Sequence, residues 1–133
     1  PAPANDALVD IVQGGEWHSK FRREVQLQAQ VFSYNLVSLT AVCPGRFALI
    51  YPWADFGSWQ DWLQLAGCWT ATQALTVMIG VASALQDLHR LGLAHGSLRP
   101  ARILLFSAGD GADSLVARVA CAGQVAVRRC RAA

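Results

Sequence analysis

Lysine is nearly missing from this chain: Lys20 is the single one among eleven basic residues, and charged side chains occupy only 15% of 133 positions. A net charge of +2 supplies no field to hold a polyanion, and the one basic cluster (Arg128, Arg129, Arg131) reads as a solvated tail. The charge balance therefore argues against nucleic acid as a partner. Long apolar runs are missing too. Residues 74–85 are apolar on every side, yet fall short of the roughly 20 residues that a lipid-spanning helix needs. Cys43, Cys68, Cys121 and Cys130 have no Cys-x-x-Cys spacing and no histidine at zinc distance, which excludes a zinc site. They read as small core residues or free thiols, and spacing alone selects no disulfide pair. No Gly-x-Ser-x-Gly elbow accompanies His95 and Ser97, so a hydrolase pair is excluded. Asp110 and Asp113 lack calcium-loop spacing and suit a strand turn instead. The stretch contains no signal-peptide pattern, repeat or low-complexity tract.

What is present is apolar: 53% of residues, enough for one domain with a real core. Thr70 and Gln73 form a capping box that starts a helix over residues 70–91. His89 and Arg90 suit its negative end, and Gly92 takes the left-handed backbone that closes it. With apolar residues all round, residues 74–85 predict burial on every side. A tight loop over residues 95–100 follows, then a short apolar strand, 103–106.

Upstream, Trp17, Phe21, Val25, Gln28 and Phe32 repeat at helical spacing, so one helix face packs inward. Residues 36–42 and 46–51 are two apolar runs joined by Pro44-Gly45, which predicts a hairpin closed by a type II turn. Residues 56–63 read as a turn and a short amphipathic helix. The tryptophans Trp53, Trp59, Trp62 and Trp69 read as core and packing residues rather than a ligand cage. Downstream, residues 107–114 form a Gly and Asp turn between strand 103–106 and a second strand near 116–120. Residues 1–15 read as a loose lead-in and 128–133 as a basic tail.

The order of these elements resembles the protein kinase superfamily. A long helix ends in Leu88-His89, a glycine follows, and then His95-Gly96-Ser97-Leu98-Arg99-Pro100-Ala101-Arg102 stands where kinases carry His-Arg-Asp-Leu-Lys-Pro-x-Asn. Phe21-Arg22-Arg23-Glu24-Val25 followed by Asn35-Leu36-Val37 resembles the helix whose glutamate pairs with a strand lysine. Pro52-Trp53-Ala54 falls at the hinge, and Cys121-Ala122-Gly123 falls at Asp-Phe-Gly. The resemblance implies an α+β fold: a partial kinase-like domain over residues 16–127, covering the end of the small lobe and the start of the large one. Leu49-Ile50-Tyr51-Pro52 together with Gly92-Leu93-Ala94-His95-Gly96 and Leu98-Arg99-Pro100 is most similar to secreted rhoptry kinases and pseudokinases of apicomplexan parasites, which would imply a secreted, rhoptry location.

The same resemblance implies lost chemistry. In the family the loop aspartate accepts the substrate proton and the asparagine holds magnesium. Ser97 is no base at neutral pH, and the guanidinium of Arg102 repels a cation. Cys121 offers sulfur where a hard metal wants oxygen, so only Gly123 keeps the third motif. His95, Arg99 and Pro100 are expected to keep a structural role in the loop. Glu24, Ile50, Tyr51, Pro52 and Trp53 are expected to border a vestigial nucleotide cleft, with Pro52 lacking the N–H that would read adenine. Asp55-Phe56-Gly57 spells the metal motif but precedes the loop, so it is a decoy. No metal or cofactor is expected, with ATP binding without magnesium left open. The expected partner is a protein, either another kinase or a substrate.

Neither a Gly-rich loop nor a strand lysine precedes Glu24, and no activation segment follows Gly123, so the sequence reads as the middle of a domain. Three readings stay open: an inactive pseudokinase scaffold, a divergent Ser/Thr kinase completed by flanking sequence, and a truncated remnant. Glu24 has a plainer reading as well, a local pair with Lys20 or Gln28.

Overall fold

The computed structural model describes residues 16–46, 48–65, 67, 69–109, 114–121 and 126–127. The lead-in 1–15, the turn holding Asp110 and Asp113, Cys68, Cys130, Gly123 and the basic tail lie outside the described residues. The fold is α+β, helices with small antiparallel sheets in the order expected of a partial kinase-like domain. No helix among the described residues is long and apolar enough to cross a membrane. The chain divides into two compact units, Pro1–Phe32 with Ser38–Pro52, and Ser33–Val37 with Trp53–Ala133.

In the first unit, helix α1 (Glu16–Gln30) buries Val25 and Gln28, one turn apart as the periodicity requires. Phe32 departs from expectation: α1 stops at Gln30, so Phe32 leaves the helical register and is 84% exposed. Strands β1 (Ala41–Cys43) and β2 (Ala48–Ile50) form the expected hairpin, with Ala41 opposite Ile50 and Cys43 opposite Ala48. The 3-10 turn Pro44–Arg46 closes it. A type II turn would need a left-handed backbone at Gly45, which is not among the glycines at positive φ.

Leu36 and Val37 also depart from expectation, because they do not extend β1. Both are buried in the second unit. There Leu36 bridges in parallel to Val119, with Val119 N–H donating to Asn35 O at 2.8 Å and Val37 N–H donating to Val119 O at 3.0 Å.

In the second unit, Ser58 and Asp61 form a capping box that starts helix α2 (Trp59–Gln64). Trp59 is buried, with the rings of Trp69 and Trp62 at 5.5 and 6.4 Å. Trp53 does not join them and is 86% exposed. Helix α3 (Ala71–Arg90) begins at the Thr70/Gln73 box: Thr70 N–H donates to Gln73 Oε1 at 2.8 Å, and Gln73 N–H to Thr70 Oγ1 at 3.2 Å. It ends before Gly92, whose φ of 71° closes the turn.

Strand β3 (Leu93–Ala94) leads to the 3-10 turn Pro100–Arg102 and then β4 (Ile103–Ser107), which pairs antiparallel with β5 (Leu115–Val119) from Ile103↔Val119 to Ser107↔Leu115. A short β6 (Ala126–Val127) returns to pair with β3. Residues 56–58 cover the free edge of β4, since Phe56 N–H donates to Leu105 O and Leu105 N–H to Gly57 O at 3.0 and 2.9 Å.

The core lies between α3 and this hairpin. Val77, Gly80, Val81, Ala84 and Leu88 recur along one face of α3, which packs on β5. Each large side chain removed from water there contributes about 1.5–3 kcal/mol. Burial on every side does not hold: Leu75, Met78 and Ile79 are 63%, 61% and 66% exposed on the opposite face. Apolar composition dictates what a helix can bury, whereas exposure depends on whether another element lies against it.

Candidate functional site

The helix α3, the turn at Gly92 and strand β3 deliver the chain to His95, the buried pivot of the loop. Its Nδ1 accepts the N–H of Ser97 at 3.2 Å, so Nε2 carries the proton and donates to Ala120 O at 2.7 Å. One imidazole thereby ties the loop to the exit of β5. The backbone ties the next part: Arg102 N–H donates to Arg99 O at 2.9 Å across the 3-10 turn, and Ala120 N–H donates to Arg102 O at 2.8 Å. Pro100 opens that turn, where a missing N–H loses nothing and the fixed φ suits the turn. Gly96 takes a φ of 80°, which a side chain would resist.

His95, Ser97, Arg99, Pro100, Arg102 and Cys121 therefore share the second unit. Ser97 and Arg102 are half-buried and Arg99 is exposed. Cys121 is buried two residues past the end of β5, its Sγ 3.9 Å from Val119 O. Glu24, Ile50, Tyr51 and Pro52 belong to the first unit, and Trp53 to the second. Glu24 is half-buried on α1, and its Oε1 accepts from Gln28 Nε2 at 3.0 Å, the local pairing weighed from sequence. Asp55 of the Asp-Phe-Gly decoy accepts the Ser107 N–H at 3.0 Å and so pins the end of β4.

A divalent cation does not suit these side chains. Hydroxyl, guanidinium and thiol at positions 97, 102 and 121 supply no carboxylate, and the two arginines of the loop repel a metal. Among the described residues no three His, Cys, Asp or Glu side chains stand close enough to share an ion.

Three contacts around the loop's platform have no local signal in sequence. Asn35 Nδ2 donates to Ala117 O at 3.0 Å, fastening residues 33–37 to β5. Ser33 Oγ donates to Asp87 Oδ2 on α3, and Asp87 Oδ1 also lies 3.8 Å from Arg90. Arg118 donates from Nε to Tyr34 O at 2.9 Å, with its guanidinium 5.4 Å from the Tyr34 ring and 4.8 Å from the Phe106 ring. Each joins residues more than fifty positions apart or across a strand pair, and only the fold brings them together.

No protein-family model matches the chain. It is 33% identical over 92 residues to interleukin-1 receptor-associated kinase-like 2 of Bos taurus, covering 64% of this chain and 14% of that protein. It is 33% identical over 105 residues to U-box domain-containing protein 70 of Oryza sativa subsp. japonica, covering 72% and 12% respectively. The figures for U-box domain-containing protein 32 of Arabidopsis thaliana are 33% over 97 residues, 68% and 12%. The narrower rhoptry resemblance has no counterpart among these three. The chain spans 12–14% of the length of these curated relatives and is weakly homologous to a kinase-like protein and to plant U-box proteins.

Proposed function

We propose that this chain is part of a degenerate protein kinase-like domain that works as a protein-binding scaffold or allosteric module rather than by phosphoryl transfer. The observation that carries the reading is the substitution pattern in one ordered framework. Ser97, Arg102 and Cys121 stand where the resemblance calls for a base and two metal ligands. Around them lies the expected sequence of helix, loop and strand pair. Phosphoryl transfer rests on positioning and on the charge of bound metal, so losing all three groups removes most of what such a site supplies. Similarity to a protein named as a receptor-associated kinase-like protein supports the kinase-like part of the proposal. Its partner is then a protein, met through the surface of the domain.

Thermal unfolding of the chain with ATP, with and without magnesium, tests the proposal. The expected outcome is no magnesium-dependent rise in Tm, whereas stabilisation by nucleotide alone is compatible with a cleft that has lost its metal. A rise that requires magnesium would favour the divergent-kinase reading and overturn this one.

A further inference from the structure

His95 holds the loop through a contact that only an uncharged ring can make. The side chain is buried, its Nε2 lies 2.7 Å from Ala120 O, and the Ser97 N–H donates to its Nδ1 at 3.2 Å. A carbonyl oxygen accepts and an amide donates, so the two bonds coexist in one form alone, the neutral ring with its proton on Nε2. A second proton would sit on Nδ1 and face the Ser97 N–H, donor against donor. We propose that this pair is a proton-operated catch: in mildly acid solution the charged ring keeps Ala120 O and releases residues 96–98.

The neighbouring bonds confine the movement. Both ends of the loop are tied to one residue, His95 to Ala120 O and Arg102 O to the Ala120 N–H at 2.8 Å. Charging the ring strengthens the first tie, since a charged donor bonds more tightly than a neutral one, and leaves the second as it is. Between these ties, Gly96, Ser97 and Leu98 make no hydrogen bond to a described residue other than the one from Ser97 to His95. The catch is therefore a single bond, and it is the bond that a proton displaces.

The surrounding charges do not offset a cationic ring. The loop carries Arg99 and Arg102, β5 carries Arg118 with Cys121 just beyond it, and the last turn of α3 carries Asp87, His89 and Arg90, while β3 and β4 carry none. Asp87 already accepts from Ser33 and lies 3.8 Å from Arg90. Among the described residues no carboxylate pairs with His95. The direction of the pH effect follows. The closed loop needs the neutral ring, whereas an open loop takes up a proton as a free histidine does, around pH 6.5. Closure is thus complete above that range and is lost as pH falls through it. Between pH 7.5 and 5.5 the open population rises about tenfold. Neither bond uses exposed surface, and the inference does not depend on the kinase-like reading.

Amide hydrogen exchange of the whole chain, read by NMR at pH 7.5 and 5.5 and expressed as protection relative to an unstructured amide at the same pH, tests the catch. Protection at Ser97 is expected to fall about tenfold in acid, while Val81 in α3 and Val119, whose N–H donates to Asn35 O, keep theirs. Ring nitrogen shifts of His95 are expected to show the proton on Nε2 at pH 7.5 and on both nitrogens when Ser97 is released. His95→Gln keeps an N–H for Ala120 O and does not titrate, so its Ser97 protection is expected to be the same at both pH values, whatever its level. His89→Gln, on the exposed end of α3, is expected to respond as the parent does. Ser97 protection that is equal at both pH values in the parent, a response that survives His95→Gln, or parallel losses at Val81 and Val119 would each overturn the proposal.

Discussion

Gly80 sits where α3 crosses β5, and replacing it with alanine sets two effects of opposite sign against each other. In an exposed helix interior Gly→Ala stabilises by about 1 kcal/mol, because glycine gives up more backbone freedom on folding. Here a Cβ would stand 3.1 Å from Asn35 Nδ2 and 3.2 Å from both the Cβ and the carbonyl oxygen of Ala117, all closer than ordinary van der Waals contact. None of these neighbours is a free side-chain end. Asn35 Nδ2 is bonded to Ala117 O, and Ala117 lies inside β5 opposite Leu105. Relief therefore means shifting a strand or giving up the amide hydrogen bond. Overpacking costs about 1–3 kcal/mol and the hydrogen bond about 1 kcal/mol. Packing wins, and Gly80→Ala is expected to destabilise by about 1–2 kcal/mol, lowering Tm by roughly 3–8 °C. Urea denaturation of the variant against the parent measures it. Asn35→Ala supplies the control, since removing the amide opens the space: the Gly80→Ala penalty should shrink by about 0.5 kcal/mol or more in that background. A Gly80→Ala chain stabilised by about 1 kcal/mol would refute the close approach of α3 to β5.

Two further outcomes follow from the loop and its platform. His95→Ala removes a buried ring that satisfies Ser97 N–H and Ala120 O, and is expected to cost about 2–4 kcal/mol with loss of hydrogen-exchange protection at Ser97. Ser97→Asp at a half-exposed position, where the backbone N–H is the group bonded to His95, is expected to change stability by about 0.5 kcal/mol or less. Equal losses from the two variants would contradict His95 as the pivot. Arg118→Lys keeps the charge but not the planar group that lies over Tyr34 and Phe106 while Nε donates to Tyr34 O, so about 1 kcal/mol should be lost in thermal unfolding. A Tm within error of the parent would assign that contact no weight.

Legibility in the sequence divides along the range of the interactions. The start of α3 was readable because its cap is a four-residue pattern, Thr70 to Gln73, and its end because Gly92 alone can close it cheaply. Strands β4 and β5 were readable because short apolar runs flank a Gly and Asp turn. Leu36 and Val37 were not: an apolar run predicts a strand but names no partner, and β5 claims this one in place of β1. The turn at Pro44 failed for a related reason, since Pro-Gly permits both a type II turn and a 3-10 turn. Exposure of Leu75, Met78 and Ile79 is a property of what lies beside α3, and no periodicity within α3 encodes it. Around the candidate site, the helix, loop and strand pair were legible by order and spacing. The contacts that hold the loop come from Ala120, and those that fasten residues 33–37 to β5, through Asn35 and Arg118, likewise join distant parts of the chain.

The shape of the loop rests on atoms other than those of its variable side chains: on the His95 ring, on Gly96 at positive φ, and on backbone groups of Ser97, Arg99, Arg102 and Ala120. A backbone N–H bonds equally well whether the residue carries a carboxylate, an amide or a hydroxyl. Replacement at position 97 or 102 therefore leaves these bonds in place, whereas replacement of His95 breaks two at once. On the reading proposed above, selection for folding and selection for metal chemistry would act on different atoms, so relaxed selection on the second would erode side chains at 97, 102 and 121 while the helix, loop and strand pair persisted. Under that reading, the separation makes a kinase-like framework with non-kinase side chains a physically coherent state.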